Sequence, residues 1–152
     1  MFKVLLIDDE KAIIEGLSAI ISWSRLNCEV IGSAYNGQVG VEQAALLQPD
    51  IIVTDIRMPY VDGLQMIEAI QRTQPHVQFI ILSGYSDFKY AQKGIELGIK
   101  QYVLKPVEEK ELEASLAAIV QKLDKERQER MEIEKLKQLS SSAELMLQEQ
   151  LF

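Results

Sequence analysis

Five short runs of apolar, mostly β-branched residues punctuate the chain, at 3–7, 29–34, 51–54, 78–82 and 101–104. Most are nearly continuous rather than alternating, the pattern of strands buried on both faces. The segments between them carry helical spacing. Ile13, Ile14, Leu17, Ile20 and Ile21 fall on one face, and so do Val41, Ala44 and Ala45 with Gln48 at the margin. Leu64, Ile67 and Ile70 form a third such face, and Phe88, Ala91 and Ile95 a fourth. Strand starts recur about every 22–27 residues, the length of a strand plus a crossover helix. The pattern predicts an α/β fold of five βα units, a doubly wound parallel sheet with helices on both faces. The units share no motif, so this is not an internal repeat.

Turn chemistry falls where the periodic segments end: Asn36-Gly37, Pro49-Asp50, Asp62-Gly63 and Lys105-Pro106. Asp62 is placed to cap the helix that Gly63 and Leu64 open, and Ser86 the one containing Phe88. After Pro106 there is neither proline nor glycine. Leu112, Leu116, Ile119 and Leu123 continue a helix with 4-3-4 spacing, and residues 124–132 are then mostly charged. Apolar spacing resumes out of phase at Leu136, Leu139, Ala143, Met146 and Leu147, and Ser140-Ser141-Ser142 argues against one unbroken rod. This extended C-terminal helix reads either as a packing helix running into a solvated linker or as a dimerising coiled coil. The expected division is a globular domain over 1–123 and a helical linker over 124–152.

Composition narrows the function classes. The 152 residues are 47% apolar and 26% charged, enough for a packed core. A net charge of −7 sets the surface against a phosphate backbone, so these residues alone are not expected to bind nucleic acid. Cys28 is the single cysteine and cannot close an internal disulfide, which fits a reducing, cytoplasmic setting and a role as core filler. No apolar run approaches the ~20 residues that span a bilayer, and the residues after Ile7 are Asp8, Asp9 and Glu10, unlike a signal peptide. His76 sits in a Pro75-His76 turn without a partner that would suggest catalysis.

In an open parallel sheet, ligands sit beyond the carboxyl ends of the strands. The first strand ends in Asp8-Asp9, the third in Asp55, the fourth in Ser83 and the fifth in Lys105. Three carboxylates at one edge require a cation to stay ionised together, and a hard divalent ion such as Mg²⁺ suits oxygen ligands. A lysine and a hydroxyl beside that ion suit a phosphoryl group. Asp55 is then the candidate nucleophile for an acyl phosphate.

These residues lie in motifs. Leu6-Ile7-Asp8-Asp9-Glu10, the run from Asp55 to Gly63, Ser83-Gly84-Tyr85, and Tyr102-Val103-Leu104-Lys105-Pro106 together resemble a response-regulator receiver domain over about residues 1–123. The resemblance implies a flavodoxin-like sheet of order 2-1-3-4-5. It implies that Asp55 accepts a phosphoryl group from a partner sensor histidine kinase. Asp8, Asp9, Asp55 and the backbone carbonyl of Arg57 would hold Mg²⁺. Ser83 corresponds to the switch hydroxyl, Lys105 to the phosphate-pairing lysine and Tyr102 to the aromatic that turns inward. The bond preceding Pro106 is expected to be cis. The implied protein is a signalling switch rather than an enzyme, forming a homodimer on phosphorylation. By the same resemblance, Arg57 and Tyr85 are expected to flank the path of a hydrolytic water, and Gly84 stands where many receivers carry alanine.

A narrower likeness joins Trp23, Asn36-Gly37 and the run from Ser83 to Ala91 to receivers attached to AraC-type DNA-binding domains. No helix-turn-helix segment follows, so the chain is expected to be a fragment or to depart from that architecture. Transcriptional output through a further DNA-binding domain is implied for the parent protein only. Two other readings are weaker. A haloacid-dehalogenase-like phosphohydrolase wants a second acid two residues after its nucleophile, and position 57 is Arg. A nucleotide-binding loop is excluded by the acidic, glycine-free turn after the first strand.

Overall fold

The structure, a computed structural model, describes the backbone of residues 1–150 and the side chains of residues 1–148. Five strands, β1 (Phe2–Ile7), β2 (Cys28–Ala34), β3 (Ile51–Asp55), β4 (Gln78–Ser83) and β5 (Gln101–Leu104), form one all-parallel sheet of order β2-β1-β3-β4-β5. The five predicted strands stand within a residue of their expected bounds. They alternate with helices α1 (Lys11–Ile20), α2 (Gly37–Leu47), α3 (Gly63–Thr73), α4 (Phe88–Glu96) and α5 (Glu109–Gln150). Short 3-10 turns sit at Ser24–Leu26 and Tyr85–Asp87. The doubly wound fold expected from the apolar pattern is therefore present, with the strand order implied by the family resemblance.

Each strand presents alternate residues to opposite faces. Leu5 and Ile7 of β1, Ile52 of β3, and Phe79 and Ile81 of β4 join Ala44 of α2 and Leu64, Ile67 and Ile70 of α3 in one buried cluster. Val4, Leu6, Val53, Ile80 and Leu82, equally buried, point to the other face. Ile14 and Leu17 of α1 and Leu112 and Leu116 of α5 are also buried. The central strands are thus dry on both sides, which is why their sequences do not alternate.

Helix faces follow the prediction in part. In α1, Ile14 and Leu17 are buried, with Ile21 just beyond the helix, while Ile20 is 58% exposed. In α2 Gly37, Gly40 and Ala44 are buried and Val41 packs half-buried on the core, while Ala45 is exposed. Small residues win there because the neighbours come so close: a Cβ at Gly40 would lie 2.5 Å from the Met66 sulfur. In α4 the apolar stripe is not the buried one. Phe88 and Ile95 are 69% and 64% exposed, while Gly94 is buried and Tyr90 and Leu97 pack on the core.

Two cap expectations separate as well. Asp62 caps α3 by accepting the Gln65 N–H at 2.8 Å, and the Gln65 side chain accepts the Asp62 N–H at 3.1 Å. Ser86 caps nothing, because it lies inside the 3-10 turn, and Asp87 is the residue before α4. Asn36 acts as more than a turn residue; it caps α2 through the Val39 N–H.

By compactness the chain divides into Met1–Ala118 and Ile119–Phe152. The described part of the second unit is helical throughout, with Met131, Ile133, Leu136, Leu139, Leu145, Met146 and Leu147 exposed. Ser140, Ser141 and Ser142 lie within α5 and do not interrupt it. Serine costs a helix only a few tenths of a kcal/mol per residue, too little for three of them to end one that glycine and proline leave intact. Among the described residues no helix is long and apolar enough to cross a membrane. The last two residues of the expected linker lie outside the described residues.

The entry to α3 depends on Gly63. A Cβ there would sit 2.4 Å from the Asp55 carbonyl oxygen and 2.9 Å from the Ile56 Cα, both backbone atoms that cannot turn aside. Gly63→Ala is expected to lower stability by about 1–3 kcal/mol, read as a lower urea midpoint.

Candidate functional site

The parallel register brings the carboxyl ends of four strands together. Ile7 pairs with Thr54, Asp55 with Leu82 and Ser83 with Leu104, so Asp8, Asp55, Ser83 and Lys105 all lie at one edge. Asp8 and Asp55 are buried, and Asp9 is exposed. Each of the three offers a carboxylate oxygen within 4.8 Å of the others. At an effective dielectric of about 20, two charges at that separation repel by about 3–4 kcal/mol, so the cluster needs a counter-charge.

Lys105 supplies one. Its Nζ lies 3.2 Å from Asp8 Oδ2 and 3.3 Å from Asp55 Oδ1. Burial alone would lower the pKa of Lys105, but the two carboxylates outweigh it and the pKa rises. Asp8 is held by the Glu10 N–H as well, at 2.9 Å, yet burial still pushes its pKa up. Asp55 is pushed up to about 6, first by burial and then by the Asp8 charge, with Lys105 opposing. Its Oδ1 also accepts the Ile56 N–H at 2.9 Å. Both polar contacts of Asp55 fall on Oδ1, which leaves Oδ2 as the oxygen turned to other uses.

Three hard oxygen donors, two buried and one open to solvent, fit a small divalent cation such as Mg²⁺. One lysine for three carboxylates leaves the negative charge that such an ion would neutralise. Arg57 follows Asp55 by two residues, with its side chain largely exposed. The Lys105–Pro106 peptide is cis.

Ser83 is buried, and its carbonyl accepts the Lys105 N–H at 2.8 Å. Tyr102 packs on the core cluster, its hydroxyl buried without a hydrogen-bond partner and its pKa raised by burial. The hydroxyl fits because residue 94 is glycine: a Cβ at Gly94 would lie 2.5 Å from it.

Two positions escaped the sequence reading. Gly94 looks like an ordinary weak point in a helix, and only the strand opposite reveals what it faces. Asp87 reads as a turn residue, yet it is 7% exposed and accepts the Gly84 N–H at 2.8 Å. A buried acid three residues from a glycine has no local sequence signal.

Comparison with known proteins agrees with this geometry. The family model for the response regulator receiver domain matches residues 4–117. The chain is 41% identical over 126 residues to the uncharacterized transcriptional regulatory protein YesN of Bacillus subtilis, covering 83% of this chain and 34% of that protein. It is 40% identical over 126 residues to the transcriptional regulatory protein HptR of Staphylococcus aureus, covering 81% and 48%. The chain therefore spans about a third to a half of the length of these relatives. Among solved structures, the receiver domain of AraT, a response regulator from Geobacillus stearothermophilus, superposes with a TM-score of 0.79 at 35% identity, covering 83% of this chain and 98% of that one. A two-component transcriptional regulator AraC from Clostridium phytofermentans gives 0.75 at 33% identity, covering 80% and 94%.

Two predictions come from the site. The pKa of Asp55 in the fold lies above its ordinary value of 3.8, so the fold favours the protonated acid. That contribution is full below the unfolded value and is lost as pH rises through about 6. In metal-free protein Asp55→Asn is expected to be more stable than the parent by on the order of 2 kcal/mol at neutral pH. The gain should vanish by about pH 4; urea unfolding in EDTA across pH reads it. Separately, Tyr102→Phe removes an unpartnered hydroxyl and is expected to change stability by less than about 1 kcal/mol. Gly94→Ala should destabilise by more than that, and the double variant should recover most of the loss in the same assay.

Proposed function

The chain belongs to the response regulator receiver family, and on that premise we propose that it is a phosphorylation-driven switch whose phosphoacceptor is Asp55. The observation that carries this reading is the acid cluster with Lys105 bridging Asp8 and Asp55. Oδ2 of Asp55 attacks the phosphorus of a phosphohistidine on a partner sensor histidine kinase. The new P–O bond forms as the P–N bond breaks, and the departing imidazole nitrogen keeps the electron pair. The hydrogen bond from the Ile56 N–H and the ion pair with Lys105, both at Oδ1, keep the carboxylate from rotating, so one oxygen stays presented.

Asp8, Asp9, Asp55 and the backbone carbonyl of Arg57 are the groups that would hold Mg²⁺, which when bound supplies positive charge against the phosphoryl oxygens. Lys105 then pairs with a phosphoryl oxygen instead of a bare carboxylate. Ser83 closes on another oxygen as the loop after β4 moves, and Tyr102, already turned in against Gly94, keeps the inward place that this state needs. Each step ends in a state rather than a released product, so the module is a switch and not a turnover enzyme.

The relatives named above are transcriptional regulators of which this chain corresponds to only a part. We assign the whole protein a cytoplasmic role in transcription, with DNA contacted by a region other than this acidic one. Residues 1–123 form the receiver and 124–152 the helical linker toward that region. The exposed apolar residues of the linker, Leu136, Leu139 and Met146 among them, favour a homodimer formed on phosphorylation.

Incubation with acetyl phosphate and Mg²⁺ is expected to add one phosphoryl group by intact mass, and none to Asp55→Asn or in EDTA. No addition to the parent would sink the reading. Sizing of the two forms should show a monomer before and a dimer after.

A further inference from the structure

We propose that Asp87 is a positioning residue for the phosphoryl-transfer site, holding the loop that follows Ser83 in place against the loop that follows Asp55. The proposal rests on the reading of Asp55 as phosphoacceptor, and it concerns a residue to which the mechanism above gives no part.

A carboxylate only 7% exposed must have partners that repay its dehydration. Asp87 is not capping α4, since no side-chain cap bond is made there. Its Oδ2 accepts the Gly84 N–H at 2.8 Å, and its own N–H donates to the Gly84 carbonyl at 3.1 Å, closing a ring over residues 84–87. Its Oδ1 faces Arg57 Nη1 at 3.5 Å, and that guanidinium lies 5.7 Å from the centroid of the Tyr90 ring. Gly84 is the residue after Ser83, and Arg57 is two residues after Asp55. One carboxylate therefore ties together the two loops whose spacing sets how Ser83 approaches a group on Asp55.

The energetics point to geometry rather than stability. The Arg57 side chain is 58% exposed, so its ion pair is screened and adds little to folding. A neutral side chain with an acceptor oxygen would satisfy the Gly84 N–H equally well. The negative charge is needed for Arg57. A guanidinium released two residues from Asp55 has an acidic cluster to turn to, where it would compete with Lys105. Held by Asp87 and Tyr90, it stays out of that cluster.

The test uses Asp87→Ala, which removes both contacts, and Asp87→Asn, which keeps an acceptor for Gly84 and loses the charge. Arg57→Gln and the double variant Asp87→Ala/Arg57→Gln complete the set. In the unphosphorylated protein, amide exchange at Gly84 should quicken by about tenfold or more in Asp87→Ala and less in Asp87→Asn, with β3 amides unchanged. The rate of phosphorylation by acetyl phosphate should fall by about five- to tenfold in Asp87→Ala and by less in Asp87→Asn and Arg57→Gln. The double variant should be no slower than Asp87→Ala, because both changes cut one linkage. Unchanged exchange at Gly84, a parental rate in Asp87→Ala, or multiplied effects in the double variant would each overturn the proposal. If Asp87→Ala does not fold, the phosphorylation rate of Asp87→Asn decides, and a parental rate there overturns the proposal. If the parent takes up no phosphoryl group, the phosphoacceptor reading fails, and Gly84 exchange alone then decides whether Asp87 holds the loop.

Discussion

Lys105 is the counter-charge on which the carboxyl edge of this sheet rests. Two buried carboxylates and a third at the rim converge there, and a single ammonium reaches both buried ones at 3.2 and 3.3 Å. Without it, burial and mutual repulsion would drive the acids toward the neutral form, a pressure already visible in the raised pKa values of Asp8 and Asp55. A site arranged like this is poised. It holds more negative charge than one lysine balances, so a cation and then a phosphoryl group are both changes that the local electrostatics answer strongly.

The surrounding loops keep that edge in order through short, well-satisfied contacts. Asp62 and Gln65 cap each other at the start of α3, and Gly63 lets the helix end approach the β3 backbone. Asp50, at the opposite end of β3, accepts the Lys3 N–H at 2.8 Å and anchors the sheet away from the site. On the side of α4 the packing is different in kind. Tyr102 hides a hydroxyl with no partner, and Gly94 leaves it just enough room.

Several misreadings share one cause. Phe88 and Ile95 share an apolar face by their helical spacing, yet the helix turns Tyr90, Gly94 and Leu97 to the core. Periodicity finds a stripe but does not say whether that stripe faces the core. In α2 the fully buried positions are glycine and alanine, which carry little hydrophobic signal, with Val39, Val41 and Leu47 half-buried beside them, because close approach outweighs area there. Ser86 has the right residue type for a cap, but Asp87 stands immediately before the helix and its carboxylate is drawn to Gly84 instead. Ser140 to Ser142 read as an interruption, although a run without glycine or proline remains helical through them.

What the sequence determined by itself was the sheet, its parallel sense and the set of residues at its carboxyl edge. Short continuous β-branched runs, bounded by turn residues and separated by helical segments, read as doubly buried strands, and strand ends are fixed by where the apolar run stops. Asp8, Asp55, Ser83 and Lys105 are legible for that reason, since each is the first polar residue after such a run. Tertiary structure alone decided the distances among them, which oxygen of Asp55 is engaged, and the parts played by Asp87 and Gly94. Those depend on contacts between segments separated in the sequence, such as Arg57 with Asp87 and Gly94 with Tyr102. Local pattern reports how a segment divides polar from apolar; it carries no record of which distant side chain will stand opposite.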